Sequence, residues 1–588
     1  MRISYDPVDQ YAAYLFKRGE NVRSYELFGP HRKGKDMTFT LFAPRAHRVE
    51  LASAYDDWQG IEMRRDETTG LFTVTVDMPL YTPYKYKIYG EDGLHWKADP
   101  FAFSSESIPG TASIALPLED IPVGEILASP LQAIYEVHLG SWMRDGDRFL
   151  NYRELAHKLI DYVKDLHFSH VELLPIMEHP YDGSWGYQIT GFFSVTGRYG
   201  TAEDFAYFVD YAHKNGIGVI LDWTPAHFCK DEQGLRYLDG TPTYESDEAY
   251  YAENRIWDTM AFDYTKGHVQ SFLFSSANFF CRYGIDGIRV DAVSYMLYKG
   301  FGERDTDTKN PDNHRSDTIY FLKELLARLH AEHPGLLMIA EESEDYRGLT
   351  KPLSEGGLGF DRKWNMGWMH DILDYMEMDP IYRQYHHDAL TFPIMYSFNE
   401  KYILPFSHDE VVHGKKSLLD KMYGGYEEKF QQLRLLYLYM MAHPGEKLLF
   451  MGQEFGQFRE WVDNEPLDWF LLDYDSHRSL RDYFKALMAV YRTNEALSNP
   501  REGFDGFRWD LVNAADISTI AFSRIGENQE IMAVMNFTPV GRNVRIAAKG
   551  DWRILFSTHM KEGAISNKDG YIDIQTDGYE GIYLLKEV

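Results

Sequence analysis

The chain has 588 residues, of which 44% are hydrophobic, and its 90 acidic and 60 basic side chains give a formal net charge of −30. This charge argues against nucleic acid and against an anionic membrane surface as partners, because both attract basic proteins. The only cysteines, Cys229 and Cys281, exclude a disulfide framework and indicate a reducing cytoplasmic compartment. No targeting or membrane-spanning run is evident, so we expect a soluble protein.

The first part of the chain predicts antiparallel strands. Between about residues 28 and 117, apolar and polar residues alternate with a period of two, which is typical of a sandwich with one buried face per sheet. We therefore expect an N-terminal segment over 1–27 and a β-sandwich module over 28–117. The predicted strands are 37–42, 48–51, 71–76 and 84–88.

From Ala133 onward, apolar strands alternate with amphipathic helices, a pattern that predicts βα units and a parallel sheet. Residues 151–154 and 201–204 resemble capping boxes that open two of these helices. Eight strands are predicted, which favours an α/β fold with a (β/α)8 TIM barrel over 118–496. A doubly wound open sheet is the alternative, but no glycine-rich phosphate loop follows Leu139. The predicted strands are 134–139, 171–176, 219–223, 287–292, 337–341, 359–363, 402–406 and 448–451.

Short alternating strands return after Leu497 and predict a C-terminal all-β sandwich domain over 497–588. These strands are 517–522, 531–536, 554–556 and 581–585.

Four apolar runs in this part of the chain each end on an acidic residue: Asp222, Asp291, Glu341 and Asp409. Because active sites of barrel enzymes lie at the carboxyl ends of the strands, these residues predict a pocket built from carboxylates. Arg289 lies two residues before Asp291 on the same side of its strand, where it would lower the pKa of Asp291 and keep it ionised as a nucleophile requires. A structural ion pair is the alternative interpretation.

The general acid is either Glu341 or Glu342. Glu341 ends an apolar run without a neutralising base, so burial would raise its pKa as proton donation requires. Strand alternation does not separate the two residues.

Three histidines, His227, His408 and His413, lie at or beyond the ends of carboxylate-bearing strands. Zinc binding is an alternative use of such residues, but no close ligand spacing appears, and we predict neither metal nor cofactor. His413 is interpreted as a loop residue. Paired carboxylates in a chain with 15% aromatic residues indicate glycosidic bond chemistry, because sugar rings stack on flat side chains.

Four segments resemble, in order, the signatures of the α-amylase superfamily. They are 222–227 (DWTPAH), 287–291 (GIRVD), 340–343 (AEES) and 407–409 (SHD). Residues 135–142, 178–191, 408–420 and 449–469 further resemble bacterial glycogen branching enzymes, and the similarity runs from about Ser24 to the C-terminus. The early β module resembles the glycogen-binding modules of such enzymes.

The resemblance implies a role for each matching residue. Asp291 would be the nucleophile, Glu341 the acid/base, and Asp409 the third carboxylate that binds sugar hydroxyls. The remaining residues would bind substrate or support the pocket: Tyr187, Asp222, His227, Arg289 and His408.

The implied reaction cleaves α-1,4 bonds of a linear glucan with retention and transfers the chain to a 6-hydroxyl, forming the α-1,6 branch points of glycogen. A hydrolase on the same barrel is the alternative. The expected partner is α-glucan, with no nucleic acid and no membrane, and we expect a cytoplasmic monomer. Residues 309–317 (KNPDNHRSD) depart from the family's usual glycine- and asparagine-containing stretch.

Overall fold

The computed structural model describes residues 2–302 and 306–587. Residue 1, at the start of the predicted segment 1–27, and residue 588, at the end of the predicted domain 497–588, lie outside these ranges. Eight parallel strands form a closed barrel, which confirms the predicted α/β class and TIM barrel. They are β1 (Ala133–Val137), β2 (His170–Leu173), β3 (Gly218–Trp223), β4 (Gly287–Val290), β5 (Leu337–Ala340), β6 (Arg362–Trp364), β7 (Tyr402–Phe406) and β8 (Glu446–Phe450).

The register of three neighbouring strands aligns their carboxyl ends. Trp223 of β3 pairs with Val290 of β4, which in turn pairs with Ala340 of β5. Every residue of β3 and β4 is buried, as expected for barrel strands covered on both faces. The residues that end or follow these strands therefore emerge side by side at one rim.

The predicted helix starts are confirmed. The Thr201 hydroxyl accepts the Asp204 N–H at 3.2 Å while the Asp204 carboxylate accepts the Thr201 N–H at 3.0 Å. A matching box at Asn151 opens a helix that passes through a π-helical turn at Ala156–Ile160. The α-helices are Gln10–Arg18, Leu139–Trp142, Tyr152–Leu155, Asp161–Asp165, Ala202–Lys214, Ala249–Ala252, Gly267–Cys281, Val293–Leu297, Ser316–Glu332, Met366–Glu377, Asp388–Tyr396, Leu418–Lys421, Tyr426–Ala442, Asp475–Thr493 and Glu495–Ser498.

By packing, the chain divides into two compact units. The first comprises Met1–Ser129, His138–Ile160 and Glu172–Asp361, and the second comprises Pro130–Val137, Asp161–Val171 and Arg362–Val588. The first unit therefore contains β3 to β5, and the second contains β1 and β6 to β8.

The first unit begins with two antiparallel five-stranded sheets, which confirm the predicted N-terminal β module. In the strand Pro83–Gly90, Tyr84, Tyr86 and Ile88 are buried while the residues between them are half-buried, the alternation that the sequence predicts. One sheet contains Ile3–Ser4, Phe72–Val76, Asp36–Leu41, Gly29–Lys33 and Arg64–Arg65; the other contains Ser113–Ile114, Pro83–Gly90, Arg48–Ser53, Ile61–Glu62 and Gly93–Lys97.

The barrel loops of the same unit contain short antiparallel strands. Arg144–Asp145 pairs with Arg148–Phe149, and Met177–Glu178 pairs with Gly191–Val195. A three-stranded sheet of His227–Phe228, Thr259–Ala261 and Glu253–Asn254 follows β3.

The second unit ends in a six-stranded and a three-stranded antiparallel sheet, which confirm the predicted C-terminal β domain. Their shared core includes Met532, Val544, Ile574 and Leu584. The strand predicted from 517 begins instead at Thr519, because Ala515–Ile517 forms a 3₁₀ turn. The strands are Phe507–Leu511, Thr519–Ile525, Gln529–Asn536, Gly581–Glu587, Trp552–Ser557 and Ala564–Ile565, then Arg542–Ala547, Tyr571–Thr576 and Asn567–Lys568.

Within the described ranges, no helix combines the length and apolar character needed to cross a bilayer.

Candidate active site

Three carboxylates of the first unit converge on one guanidinium. Arg289 is 1% exposed, and its Nη1 donates to Asp222 Oδ1 and Oδ2 at 2.7 and 2.6 Å and to Asp291 Oδ1 at 2.9 Å. Its Nη2 lies 3.0 Å from Glu341 Oε2. The predicted nucleophile and acid/base are thus held by the two arms of a single arginine, which is a planar donor suited to carboxylate pairs.

The pKa of Asp291 reflects its burial and these charged neighbours. Burial raises its pKa well above the ordinary value and the carboxylates of Glu341 and Asp222 add to this, while Arg289 opposes them. The sequence predicts that Arg289 keeps Asp291 ionised. Arg289 does lower the pKa of Asp291, but burial raises that pKa by more. Two carboxyl groups held this close, one as acid and one as nucleophile, are the pair that glycosidic chemistry needs.

Asp222 and Tyr187 also contact Nη1 of Arg289. Asp222 is 1% exposed and accepts a short hydrogen bond from the Tyr187 hydroxyl. The Arg289 guanidinium carbon lies 5.9 Å from the centroid of the half-buried Tyr187 ring. Asp222 therefore neutralises and orients Arg289.

The structure distinguishes the two adjacent glutamates that follow β5. The side chain of Glu341 is 18% exposed, and its Oε2 accepts the Ala292 N–H at 2.8 Å. Glu342 is fully buried and accepts hydrogen bonds from the Ser294 hydroxyl at 3.1 Å and the Glu344 N–H at 2.8 Å. Of this pair, Glu341 has the surface that a substrate can reach, whereas Glu342 holds the loop.

The residue after Asp291 has a strained backbone. Ala292 has φ of 55°, a left-handed conformation that costs a non-glycine residue on the order of 1–2 kcal/mol. Its N–H donates to Glu341. Strain of this kind clusters at functional sites, where the surrounding structure holds it in place.

His227 lies in the loop after β3 and is 3% exposed. Burial lowers its pKa to about 3, so the imidazole is neutral at physiological pH. Its ring centroid lies 5.0 Å from that of Trp257, which is 40% exposed and also contacts Tyr295. Sequence reasoning missed Trp257, because it lies in an irregular loop and not at a strand end.

His408 and Asp409 belong to the second unit and follow β7. His408 is 2% exposed; its Nδ1 lies 2.6 Å from Glu136 Oε1 and its backbone N–H donates to Glu136 Oε2 at 2.9 Å. Its Nε2 lies 3.4 Å from Oδ1 of Asp409, whose side chain is 39% exposed. Sequence reasoning missed Glu136, although a charged residue inside the buried strand β1 was the available signal.

His413 is exposed and lies in a loop of left-handed residues after Asp409. His413, Gly414 and Lys416 have φ of 58°, 83° and 66°. Glu460 fixes the loop: its carboxylate accepts the Gly414 N–H at 3.1 Å and also the Lys416 N–H.

The atypical segment 309–317 contains a 3₁₀ turn at Pro311–Asn313. Among the described residues, no group of three or more His, Cys, Asp or Glu side chains is arranged to hold a metal ion.

Three family models match this chain. The α-amylase catalytic domain matches residues 153–237, carbohydrate-binding module 48 (isoamylase N-terminal domain) matches 27–102, and the α-amylase C-terminal all-β domain matches 509–585.

Among solved structures, a pullulanase from Bacillus acidopullulyticus aligns with a TM-score of 0.75 at 17% identity, over 95% of this chain and 75% of that one. A putative α-amylase from Salmonella typhimurium aligns with a TM-score of 0.71 at 16% identity, over 95% of this chain and 99% of that one. At these identities the likeness establishes the fold alone.

Curated relatives are much more similar. The 1,4-alpha-glucan branching enzyme of Halothermothrix orenii is 48% identical over 92% of this chain and 90% of its own length. Those of Bacillus caldolyticus and Aquifex aeolicus are 47% and 44% identical, over 91% and 94% of this chain and 83% and 92% of their own lengths. The resemblance read from the sequence is confirmed, and the chain belongs to the 1,4-α-glucan branching enzyme family within the α-amylase superfamily.

Proposed function

We propose that this chain is a glucan-branching transglycosidase that cleaves an α-1,4 bond and rebuilds it as an α-1,6 branch point. The observation that carries the chemistry is the Arg289 guanidinium, which contacts both Asp291 and Glu341. Relatives named as branching enzymes, which match nearly the whole chain, support transfer over hydrolysis.

In the first step, an Asp291 carboxylate oxygen attacks the anomeric carbon of the scissile sugar. The carboxylic acid of Glu341 gives its proton to the glycosidic oxygen, so the bond to the leaving chain breaks and that chain departs with a free 4-hydroxyl. The product is a glycosyl ester on Asp291. Arg289 contributes by fixing the attacking carboxylate and by stabilising its ionised form.

In the second step, Glu341 acts as the base. It takes the proton of a 6-hydroxyl on another glucan chain, the hydroxyl oxygen attacks the anomeric carbon, and the Asp291 carboxylate departs. Two inversions at one carbon give net retention. An ordered acceptor outcompetes water because a positioned group has an effective molarity on the order of 10⁵ M or more.

The other predicted residues bind and orient the sugar. Asp409 and His408 present hydrogen-bonding atoms in the second unit, and Glu136 holds the imidazole of His408. In the first unit, neutral His227 offers hydrogen bonds without charge, and the Tyr187 ring is a stacking surface.

The N-terminal module also supports α-glucan as the partner. The rings of Trp58 and Trp96 lie 6.3 Å apart between centroids, both are half-buried, and Lys87 Nζ lies 4.7 Å from the Trp96 centroid. Flat aromatic surfaces beside a hydrogen-bond donor match the apolar faces and hydroxyls of glucosyl rings.

We expect the enzyme to act in the cytoplasm, because its two cysteines are free and buried, as in proteins of a reducing compartment. We also expect light scattering to give the mass of a monomer.

Incubation with amylose tests the reaction. Branching lowers iodine staining, creates α-1,6 linkages detectable by NMR, and releases few reducing ends. Abundant new reducing ends without α-1,6 linkages would establish a hydrolase instead. Asp291→Ala should lose activity by on the order of 10⁴-fold or more while keeping its melting temperature, since the nucleophile is removed; an active Asp291→Ala variant would exclude Asp291 as the nucleophile.

A further inference from the structure

Trp257 lies at the tip of a hairpin that folds toward the candidate active site. The short strands Glu253–Asn254 and Thr259–Ala261 pair with each other, and the second of them also pairs with His227–Phe228. In this register His227 faces Ala261 and Phe228 faces Met260, so the turn between the two hairpin strands lies beyond the Phe228 end of the pairing. The Trp257 ring centroid lies 5.0 Å from His227 and 5.3 Å from Tyr295.

The position of Trp257 is fixed although its side chain is substantially exposed. Asn254 is fully buried, and its Oδ1 accepts the N–H groups of Ile256 at 3.0 Å and Trp257 at 3.1 Å. The next residue, Asp258, has φ of 53° and pairs with Lys230 at 2.5 Å. The turn is therefore held on both sides of Trp257.

A tryptophan in contact with two other rings usually becomes buried, because its large apolar surface favours removal from water. Trp257 remains 40% exposed while the neighbouring His227 is 3% exposed. Part of an indole fixed by its own turn thus faces solvent beside a residue of the candidate active site, which is the arrangement that a stacking surface for a sugar requires.

We propose that Trp257 is a substrate-binding residue whose indole stacks on a glucosyl ring of the glucan chain next to the unit contacted by His227. This inference rests on the proposed function of the pocket. It adds a binding contribution from the loop after β3, whereas the catalytic carboxylates follow β4 and β5. Trp257 transfers no proton and touches no reacting bond, so it contributes to affinity for the chain and to its placement.

Two variants separate stacking from simple packing. Trp257→Leu keeps apolar contact with His227 and Tyr295 but removes the flat aromatic face, while Trp257→Phe keeps a smaller flat face. We expect Trp257→Leu to raise KM for amylose by about tenfold with kcat changed less than threefold, and Trp257→Phe to recover most of the loss. Tyr320→Ala is the control, since Tyr320 is 57% exposed on the helix Ser316–Glu332, and it should leave both constants unchanged.

Binding of maltoheptaose, measured by calorimetry in the Asp291→Ala background, gives a readout that is independent of turnover. Weaker binding by Trp257→Leu with an unchanged melting temperature supports the inference, even if the wild type proves to be a hydrolase. Equal binding by Trp257→Leu and its parent overturns the inference, even if the wild type forms branches. If Trp257→Leu is unstable, the affinities of Trp257→Phe and Trp257→His for maltoheptaose decide. An affinity of Trp257→Phe near that of the parent, with weaker binding by Trp257→His, supports stacking. Equal affinities of Trp257→Phe and Trp257→His overturn the inference.

Discussion

The Glu136 carboxylate accepts hydrogen bonds from two atoms of one residue, the Nδ1 and the backbone nitrogen of His408. Both residues are almost completely buried, so the imidazole is held in a single orientation. A histidine that contacts substrate is most effective when its second nitrogen is fixed in this way, because the sugar then meets a preorganised partner.

Glu136→Gln should therefore impair catalysis without unfolding the enzyme. Glutamine keeps the shape and one acceptor oxygen, but its amide NH₂ cannot accept the second hydrogen bond. We expect kcat on amylose to fall by about tenfold to a hundredfold. Glu427→Gln, at an exposed position of the helix Tyr426–Ala442, is the matched control. Unchanged kcat in Glu136→Gln would mean that the orientation of His408 does not matter for the reaction.

Variants of the two adjacent glutamates that follow β5 should differ sharply in activity. Glu341→Ala removes the acid and base, so it should be inactive on amylose. Added azide should restore turnover of an activated glucosyl fluoride, because fluoride leaves without a proton and azide attacks the glycosyl ester on Asp291 without a base, releasing a glycosyl azide. Glu342→Gln keeps an acceptor for Ser294 and should retain most activity, with a lower melting temperature as the main effect. Azide rescue of a Glu342 variant but not of Glu341→Ala would reverse the assignment.

The left-handed loop after Asp409 offers a test free of steric clash. Gly414 has φ of 83°, and a Cβ built on it meets no atom within 4 Å. Gly414→Ala therefore adds backbone strain alone, on the order of 1–2 kcal/mol, and should shift the loop that Glu460 holds. We expect kcat/KM for amylose to fall by about tenfold.

Gly34→Ala is the matched control for this change. Gly34 has φ of 63° with equally open surroundings, in the turn between Gly29–Lys33 and Asp36–Leu41. Both variants should lose similar thermal stability, but only Gly414→Ala should lose activity. Equal activities would show that the loop conformation is not used by the enzyme.

Glu454 makes the stability of the second unit depend on pH. Burial raises its pKa from 4.5 to about 7, although the hydroxyls of Tyr162 and Tyr135 oppose this by donating to it. As pH rises, Glu454 ionises in the unfolded chain before it ionises in the folded one. Its contribution to the free energy of unfolding is therefore fully present below about pH 4.5 and is lost as pH rises to about 7. The loss corresponds to roughly 3 kcal/mol.

Glu454→Gln should accordingly raise the melting temperature at pH 8 much more than at pH 5, in thermal scans at the two pH values. Tyr162→Phe removes a hydrogen bond to the ionised form, so it should be more destabilising at pH 8 than at pH 5. If Glu454→Gln changed the melting temperature by the same amount at both pH values, the pH dependence of stability would not come from Glu454.

The sequence was most informative where hydrophobic burial and a carboxylate coincide. The strands β3, β4, β5 and β7 were predictable because apolar runs end abruptly at Asp222, Asp291, Glu341 and just before Asp409. The weakest prediction was β6, since three residues, Arg362–Trp364, are too few to create a periodic pattern.

The contacts between distant segments were not predictable in the same way. Glu341 and Glu342 are adjacent, and only the donors Ala292 and Ser294, brought in from another segment, tell them apart. The pKa of Asp291 is raised mainly by its burial, which no spacing of residues reveals. Trp257 is placed by the turn that Asn254 holds, not by a helix or strand.

The pairing of β1 with β8, in which Ala133 lies opposite Lys447, has a consequence for synthesis on the ribosome. The segment Ala133–Val137 emerges long before Glu446–Phe450 has been made, so one edge of this strand has no partner during most of translation. Contacts between residues so far apart in the chain form slowly, and an open strand edge is prone to aggregation. A nascent chain that stops before Glu446 cannot close its barrel, which makes premature termination and slow elongation near this point hazards for recovering folded enzyme.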